Sequence, residues 1–192
     1  QSSEIFFLSI EERVRLNRLV YRKAKALEAA GGRRFTVVSS GHVADDPEEQ
    51  AEELNRIWKS GTDALILITN RLDPQNEGDD VFIKNAERLI AKLPSEAKLG
   101  FYECPYPYKR LVTKKILDWS LSTGCFAYMK DTCCDDGQIR ARCEWLRGSD
   151  FRLLNANCQT LLSSMKNGAA GYCGIMANFH PKLYAWLCAN YK

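Results

Sequence analysis

The first half of this 192-residue chain contains no cysteine; all eight lie between Cys104 and Cys188. A disulfide framework would therefore leave half the chain unstapled. The spacings form no paired C-x-x-C knuckles, and the adjacent pair Cys133-Cys134 is poorly placed to chelate one zinc. Reduced thiols in a cytosolic protein are expected, several of them acting as small core hydrophobes. No Lys/Arg run is present and the net charge is only +3, which gives nucleic acid no electrostatic footprint. No apolar run approaches the roughly 20 residues of a membrane span, and the first residues show no signal-peptide pattern. No G-x-G-x-x-G follows a strand and there is no Walker A motif, so nucleotide-binding folds lose support. Neither a metal nor a cofactor is expected.

What is present is an ordinary globular composition, 45% hydrophobic and 27% charged, enough for one substantial core. Strand and helix signals alternate six times. Ser9 caps a first helix, with Glu12 at the capping-box position and Val14, Leu16, Leu19, Val20 and Leu27 as apolar positions. Strands are expected over 35–39, 64–69, 98–102, 126–130, 151–155 and 171–176. Helices are expected over 47–59, 81–92, 113–121, 136–147 and 160–166, with a last one opening at His180-Pro181. Parallel strands need crossover helices, so the pattern predicts an α/β fold with a parallel sheet in a single domain spanning 1–192. An open doubly wound sheet and a (β/α)8 barrel both fit. In either, functional residues gather where strands end. Those positions hold His42, Thr69-Asn70, Tyr102-Glu103, Lys130-Asp131, Asn155, Asn157 and Asn178.

Lys130 closes the apolar strand Phe126-Ala127-Tyr128-Met129-Lys130. Simple alternation puts Phe126, Tyr128 and Lys130 on one face and Ala127 and Met129 on the other. Burying an ammonium costs several kcal/mol unless it is paired or neutralised. Either this lysine snorkels to solvent, or it loses its proton and becomes a nucleophile toward ketones. The residues alone leave both open.

Five motifs in register bear on that choice: Leu8-Ser9-Ile10-Glu11-Glu12-Arg13, Tyr102-Glu103-Cys104-Pro105, Tyr128-Met129-Lys130-Asp131-Thr132, Gly168-Ala169-Ala170-Gly171 and Ala177-Asn178-Phe179-His180-Pro181. Together they resemble the dihydrodipicolinate synthase / N-acetylneuraminate lyase family, class I Schiff-base enzymes built on a (β/α)8 TIM barrel. The resemblance covers the whole chain. It implies a lyase or aldolase acting on pyruvate or a related 2-oxo acid and an aldehyde, with Lys130 as Schiff-base lysine and Tyr102 as proton-shuttling phenol. Ser2 and Ser3 would bind the substrate carboxylate, and Asn155 and Met176 would line the substrate site. It further implies a homo-oligomer, dimer or tetramer, in the full-length protein. The alignment leaves the N-terminal strands and C-terminal helices of the barrel unaccounted for, so an incomplete barrel of about six βα units is expected.

Two departures qualify the likeness. Thr69-Asn70-Arg71-Leu72 carries no tyrosine where the synthases have one, and Pro105-Tyr106-Pro107-Tyr108-Lys109-Arg110 does not supply their substrate-binding arginine in register. Dihydrodipicolinate is therefore not the expected product. Tyr106, Arg71 and His42 are candidates for a differently shaped aldehyde pocket. A keto sugar acid dehydratase and a non-catalytic 2-oxo acid sensor are the alternatives. Cys133 and Cys134 are read as packing residues, with a thiolate role as the other possibility.

Overall fold

A computed structural model describes residues 4–192. Among these residues, six strands form one parallel sheet in sequential order: β1 (Val38–Ser39), β2 (Ala64–Ile68), β3 (Leu99–Tyr102), β4 (Phe126–Asp131), β5 (Arg152–Asn155) and β6 (Gly171–Tyr172). The intervening helices are α1 (Ile10–Ala29) before β1, then α2 (Pro47–Lys59), the short α3 (Thr69–Leu72), α4 (Asp79–Ile90), α5 (Lys114–Thr123), α6 (Asp136–Trp145) and α7 (Leu161–Lys166), with α8 (Pro181–Asn190) last. Strictly sequential parallel order is barrel topology; a doubly wound sheet would reverse direction at a switch point. The architecture is six βα units of a (β/α)8 barrel. No helix among the described residues is long and apolar enough to cross a membrane. All eight cysteines are free thiols.

The main core lies between the sheet and its helices. Leu65 and Leu67 of β2, Phe101 of β3, Met129 of β4 and Leu153 of β5 pack there against Leu54, Phe82, Ile116 and Ile139. Ile66 and Ile68 point to the other, inner side, which is why all five residues of β2 are buried. The expected buried run is thus a strand covered on both faces.

One register detail overturns the simple alternation of β4. Leu99 pairs with Phe126, but Gly100 pairs with Tyr128, so Ala127 is skipped. This bulge turns Phe126 to the helix side, where its ring stacks on Phe101 at 4.4 Å and meets Trp119 at 5.5 Å. Tyr128 and Lys130 keep the inner face. Gly100 makes the close approach possible: a Cβ there would fall 2.8 Å from the Tyr128 carbonyl oxygen and 2.7 Å from the Ile66 side chain.

Helix α1 departs from its expected face. The capping box forms as read, with Ser9 accepting from the Glu12 N–H and Glu12 from the Ser9 N–H. The buried positions, however, are Arg13, Asn17 and Ala24, while Leu16, Leu19, Val20 and Leu27 are exposed. Polar bonds decide the orientation. Asn17 Nδ2 donates to Ser60 Oγ at 2.6 Å and to the Gly61 carbonyl at 2.7 Å, and Arg13 pairs with Glu53 at 2.7 Å. Strand β1 is shorter than expected because carboxylates take its leading N–H groups. Glu28 accepts from Phe35 and Asp63 from Val37.

Gly100→Ala is expected to destabilise the fold by about 1–3 kcal/mol, because the contacted carbonyl belongs to the paired strand and has little room to move. Urea denaturation midpoints measure this, and an unchanged midpoint would show that β4 yields freely.

Candidate active site

The C-terminal ends of the strands form the site. β3 ends at Tyr102 and β4 continues one residue past Lys130, and the two residues are register partners. In a parallel sheet, paired residues point to the same face, so both side chains face the inner side. The Lys130 side-chain nitrogen sits 4.2 Å from the centroid of the Tyr102 ring. Both are half-buried. They border a cavity of about 110 Å³, completed by Pro105, Thr132, Ala156, Cys173, Gly174 and Ile175. Among the described residues, Lys130 is the only charged side chain in its wall. The Tyr102 hydroxyl is pushed well above the usual phenol value by burial, with the Cys104 and Cys173 thiols beside it adding to the effect. It therefore stays protonated and can donate a hydrogen bond into the cavity.

Two of the expected substrate-lining residues are placed elsewhere. Leu154 is the β5 partner of Lys130, so its neighbour Asn155 must face the helices. There Asn155 is fully buried, and Nδ2 lies 3.0 Å from both Thr160 Oγ1 and Ser164 Oγ. It anchors α7 and does not reach the cavity. The strand expected over 171–176 stops at Tyr172, and residues Ile175–Asn178 form a 3₁₀ turn. That turn puts Ile175 at the cavity wall and Met176 outside it, and both side chains are exposed. Ser2 and Ser3 lie outside the described residues.

The second group of candidates also divides. His42 is fully buried. Its Nε2 accepts the Ile68 N–H at 2.6 Å and its Nδ1 donates to Gln50 Oε1 at 3.0 Å. Burial pushes its pKa down to about 4, so the ring is neutral and structural. Tyr106 meets Phe6 edge-on at 5.2 Å, and the Arg71 guanidinium lies over the same Phe6 ring at 5.6 Å. Neither belongs to the cavity wall. Asn70, at the position where a tyrosine is missing, is also structural. Its Nδ2 donates to the carbonyls of Cys104, Tyr106 and Tyr108 at 2.9, 2.9 and 2.6 Å and so holds the proline-rich turn. Cys133 is pushed up to about 12, first by burial and then by Asp131, which disfavours a thiolate there.

Glu103 and Asp131 were expected among the strand-end residues, but their pairing with Arg142 was not. Glu103 and Asp131, the residues directly after Tyr102 and Lys130, are both buried against Arg142 of α6. The only advance signal was an acidic residue following each of the two candidate catalytic residues.

Known structures share this arrangement of strands and helices. A dihydrodipicolinate synthase from Acinetobacter baumannii, chloride-inhibited and complexed with pyruvate, superposes with a TM-score of 0.81 at 20% identity, over 98% of this chain and 60% of that one. The synthase from Bacteroides thetaiotaomicron gives 0.79 at 21% identity, over 96% and 58%. CdNal from Clostridium difficile, in complex with mannosamine, gives 0.77 at 14% identity, over 96% and 59%. This is the fold of the dihydrodipicolinate synthase family. No family model matches the sequence, and no curated protein matches it. The chain spans about 60% of the length of the dihydrodipicolinate synthase structures it matches.

His42 gives the fold a pH dependence. In the folded state it stays neutral down to about pH 4, whereas the unfolded chain protonates it near 6.5. Its stabilisation is complete above pH 6.5 and is lost as pH falls toward 4, at about 1.4 kcal/mol per pH unit. Urea unfolding of wild type and His42→Asn at pH 7.0, 5.5 and 4.5 measures this. The stability gap between them is expected to narrow as pH falls; a constant gap would refute the assignment.

Proposed function

We propose that this protein is a Schiff-base lyase or aldolase of the dihydrodipicolinate synthase family, acting on pyruvate or a related 2-oxo acid. The observation that carries the reading is the Lys130–Tyr102 pair, 4.2 Å from amine to ring centroid, beside a small cavity at the C-terminal mouth of a parallel barrel sheet. Pyruvate is the molecule held by one synthase of the same fold. A cavity near 110 Å³ suits a three- or four-carbon acid.

In this reading the Lys130 amine, once neutral, attacks the ketone carbon. Tyr102 gives its proton to the carbinolamine oxygen, and water leaves as the iminium forms. The iminium draws electrons from the adjacent carbon, which returns a proton to the Tyr102 oxygen and becomes an enamine. The enamine carbon then adds to an aldehyde, whose oxygen takes a proton through Tyr102. Hydrolysis releases the product and restores the lysine. In the cleavage direction the same steps run backwards. The buried phenol keeps its proton for a hydrogen bond to the carbinolamine oxygen, and among the described residues no other charged group lines the cavity wall to compete with the Lys130 amine.

Incubation with pyruvate, reduction by borohydride and peptide mass mapping test this directly. The expected result is a reduced pyruvate adduct on Lys130, absent in Lys130→Arg. Tyr102→Phe is expected to slow imine formation by about 10²–10⁴-fold. Absence of an adduct with pyruvate and with longer 2-oxo acids would overturn the proposal. An adduct without aldehyde release or uptake would replace it with a binding barrel.

A further inference from the structure

The main-chain ladder between β3 and β4 gives out where the chemistry is placed. Past the Tyr102–Lys130 rung there is one long bond, from the Glu103 N–H to the Lys130 carbonyl at 3.4 Å. Side chains then take over. Glu103 Oε2 accepts the Thr132 N–H at 2.8 Å, and Oε1 accepts the Val112 N–H at 2.8 Å. The Thr132 hydroxyl donates to the Glu103 carbonyl at 2.6 Å. Arg142 reaches in from α6. Its Nη2 donates to Glu103 Oε1 at 2.7 Å and to the Val112 carbonyl at 2.6 Å. Its Nη1 donates to Glu103 Oε2 at 3.3 Å and to Asp131 Oδ2. The free oxygen of Asp131 accepts the Cys133 N–H at 2.9 Å. Glu103 and Asp131 are fully buried and Arg142 is 1% exposed.

Stability alone is a poor reason for such a cluster. Desolvating three charges consumes much of what their attraction returns, and apolar replacements of buried ion clusters are often no less stable. What this cluster does geometrically is specific. Glu103 and Asp131 are the residues immediately after Tyr102 and Lys130, and Arg142 ties both to one guanidinium. Since side chains alternate along a strand, the two carboxylates lie on the helix side while Tyr102 and Lys130 lie on the inner side. None of the three belongs to the cavity wall. Burial works against the Arg142 charge, but the two carboxylates more than offset it and raise its pKa, so Arg142 stays charged; burial also pushes the Glu103 carboxyl up, against the pull of Arg142.

We propose that Arg142, bridging Glu103 and Asp131, is a positioning residue that fixes the Lys130 amine over the Tyr102 ring. The catalytic consequence rests on the Schiff-base reading; the geometric claim does not.

Two variants test it in the intact protein. Arg142→Lys keeps a charge but cannot fork to both carboxylates. Asp131→Asn keeps the shape and removes one ionic arm, and it carries the test if Arg142→Lys does not fold. Reductive ¹³C-methylation labels the lysines, and Lys130→Arg identifies the Lys130 signal. In the wild type the Tyr102 ring current displaces that signal from the bulk lysine methyls. In folded variants it is expected to move toward the bulk position. On separate unlabelled samples, imine trapping at saturating pyruvate is expected to slow by about 10–100-fold, with the half-saturating pyruvate concentration little changed. Variants that melt at lower temperature yet keep the wild-type signal and trapping rate would reduce the cluster to a structural role and overturn the proposal. If the wild type forms no adduct, the Schiff-base reading fails while the methyl signal still decides the positioning claim.

Discussion

Tyr102 and Lys130 face each other because β4 skips one residue against β3. Without the skip at Ala127, Gly100 would pair with Ala127 and Tyr102 with Met129. Paired residues share a face, so Met129 would then stand beside the phenol and Lys130 would point into the helix layer, an uncompensated cation among Phe101, Ile139 and Leu153. The bulge averts this, and it needs Gly100, because Tyr128 closes over that position too tightly for a side chain. It also lets Phe126 keep its stack on Phe101 in the helix-side core while Lys130 faces inward. One backbone irregularity therefore serves both the core and the candidate site.

This constraint also marks where sequence reasoning reached and where it stopped. Alternating strand and helix signals carried the parallel sheet, and strand-end position with the two local motifs carried Tyr102 and Lys130. Those features are encoded within a few residues of each other. The bulge is not, since it depends on how two strands separated by α5 settle against each other. Asn155 misled for a related reason. It stands at a strand end, but a polar residue there can face either side, and only the pairing of Leu154 with Lys130 shows that it faces α7. Met176 was read as strand because the small residues before it suit one. The chain turns instead at Gly174, where the Tyr172 ring occupies the space a side chain would need. In α1 the apolar positions were legible but their burial was not, because Asn17 and Arg13 have the stronger claim on the interior through specific partners.

Buried polar groups do different work on the two sides of the sheet. On the helix side they hold the ends of strands after the ladder has stopped. His42 holds the end of β2 through the Ile68 N–H, Asn70 gathers three carbonyls of the turn after β3, and Glu103 with Arg142 and Asp131 joins β3 to β4. An arginine in a helix of low amphipathicity reads as surface in any sequence window, so the last of these could appear only in three dimensions. On the inner side, by contrast, the described residues of the cavity wall include a single lysine and a phenol held protonated by its surroundings.

That separation matters for the chemistry proposed. Carboxylates facing the cavity would favour a charged lysine, and a charged lysine does not attack a ketone. Placing Glu103 and Asp131 one residue further along each strand turns them to the opposite face, and Arg142 neutralises much of their field there. The strands thus gain rigid, ion-paired ends without lining the cavity with acids. Alternation along a strand makes this possible at the shortest sequence distance: the residue that anchors and the residue that reacts are neighbours in the chain and on opposite sides of the sheet.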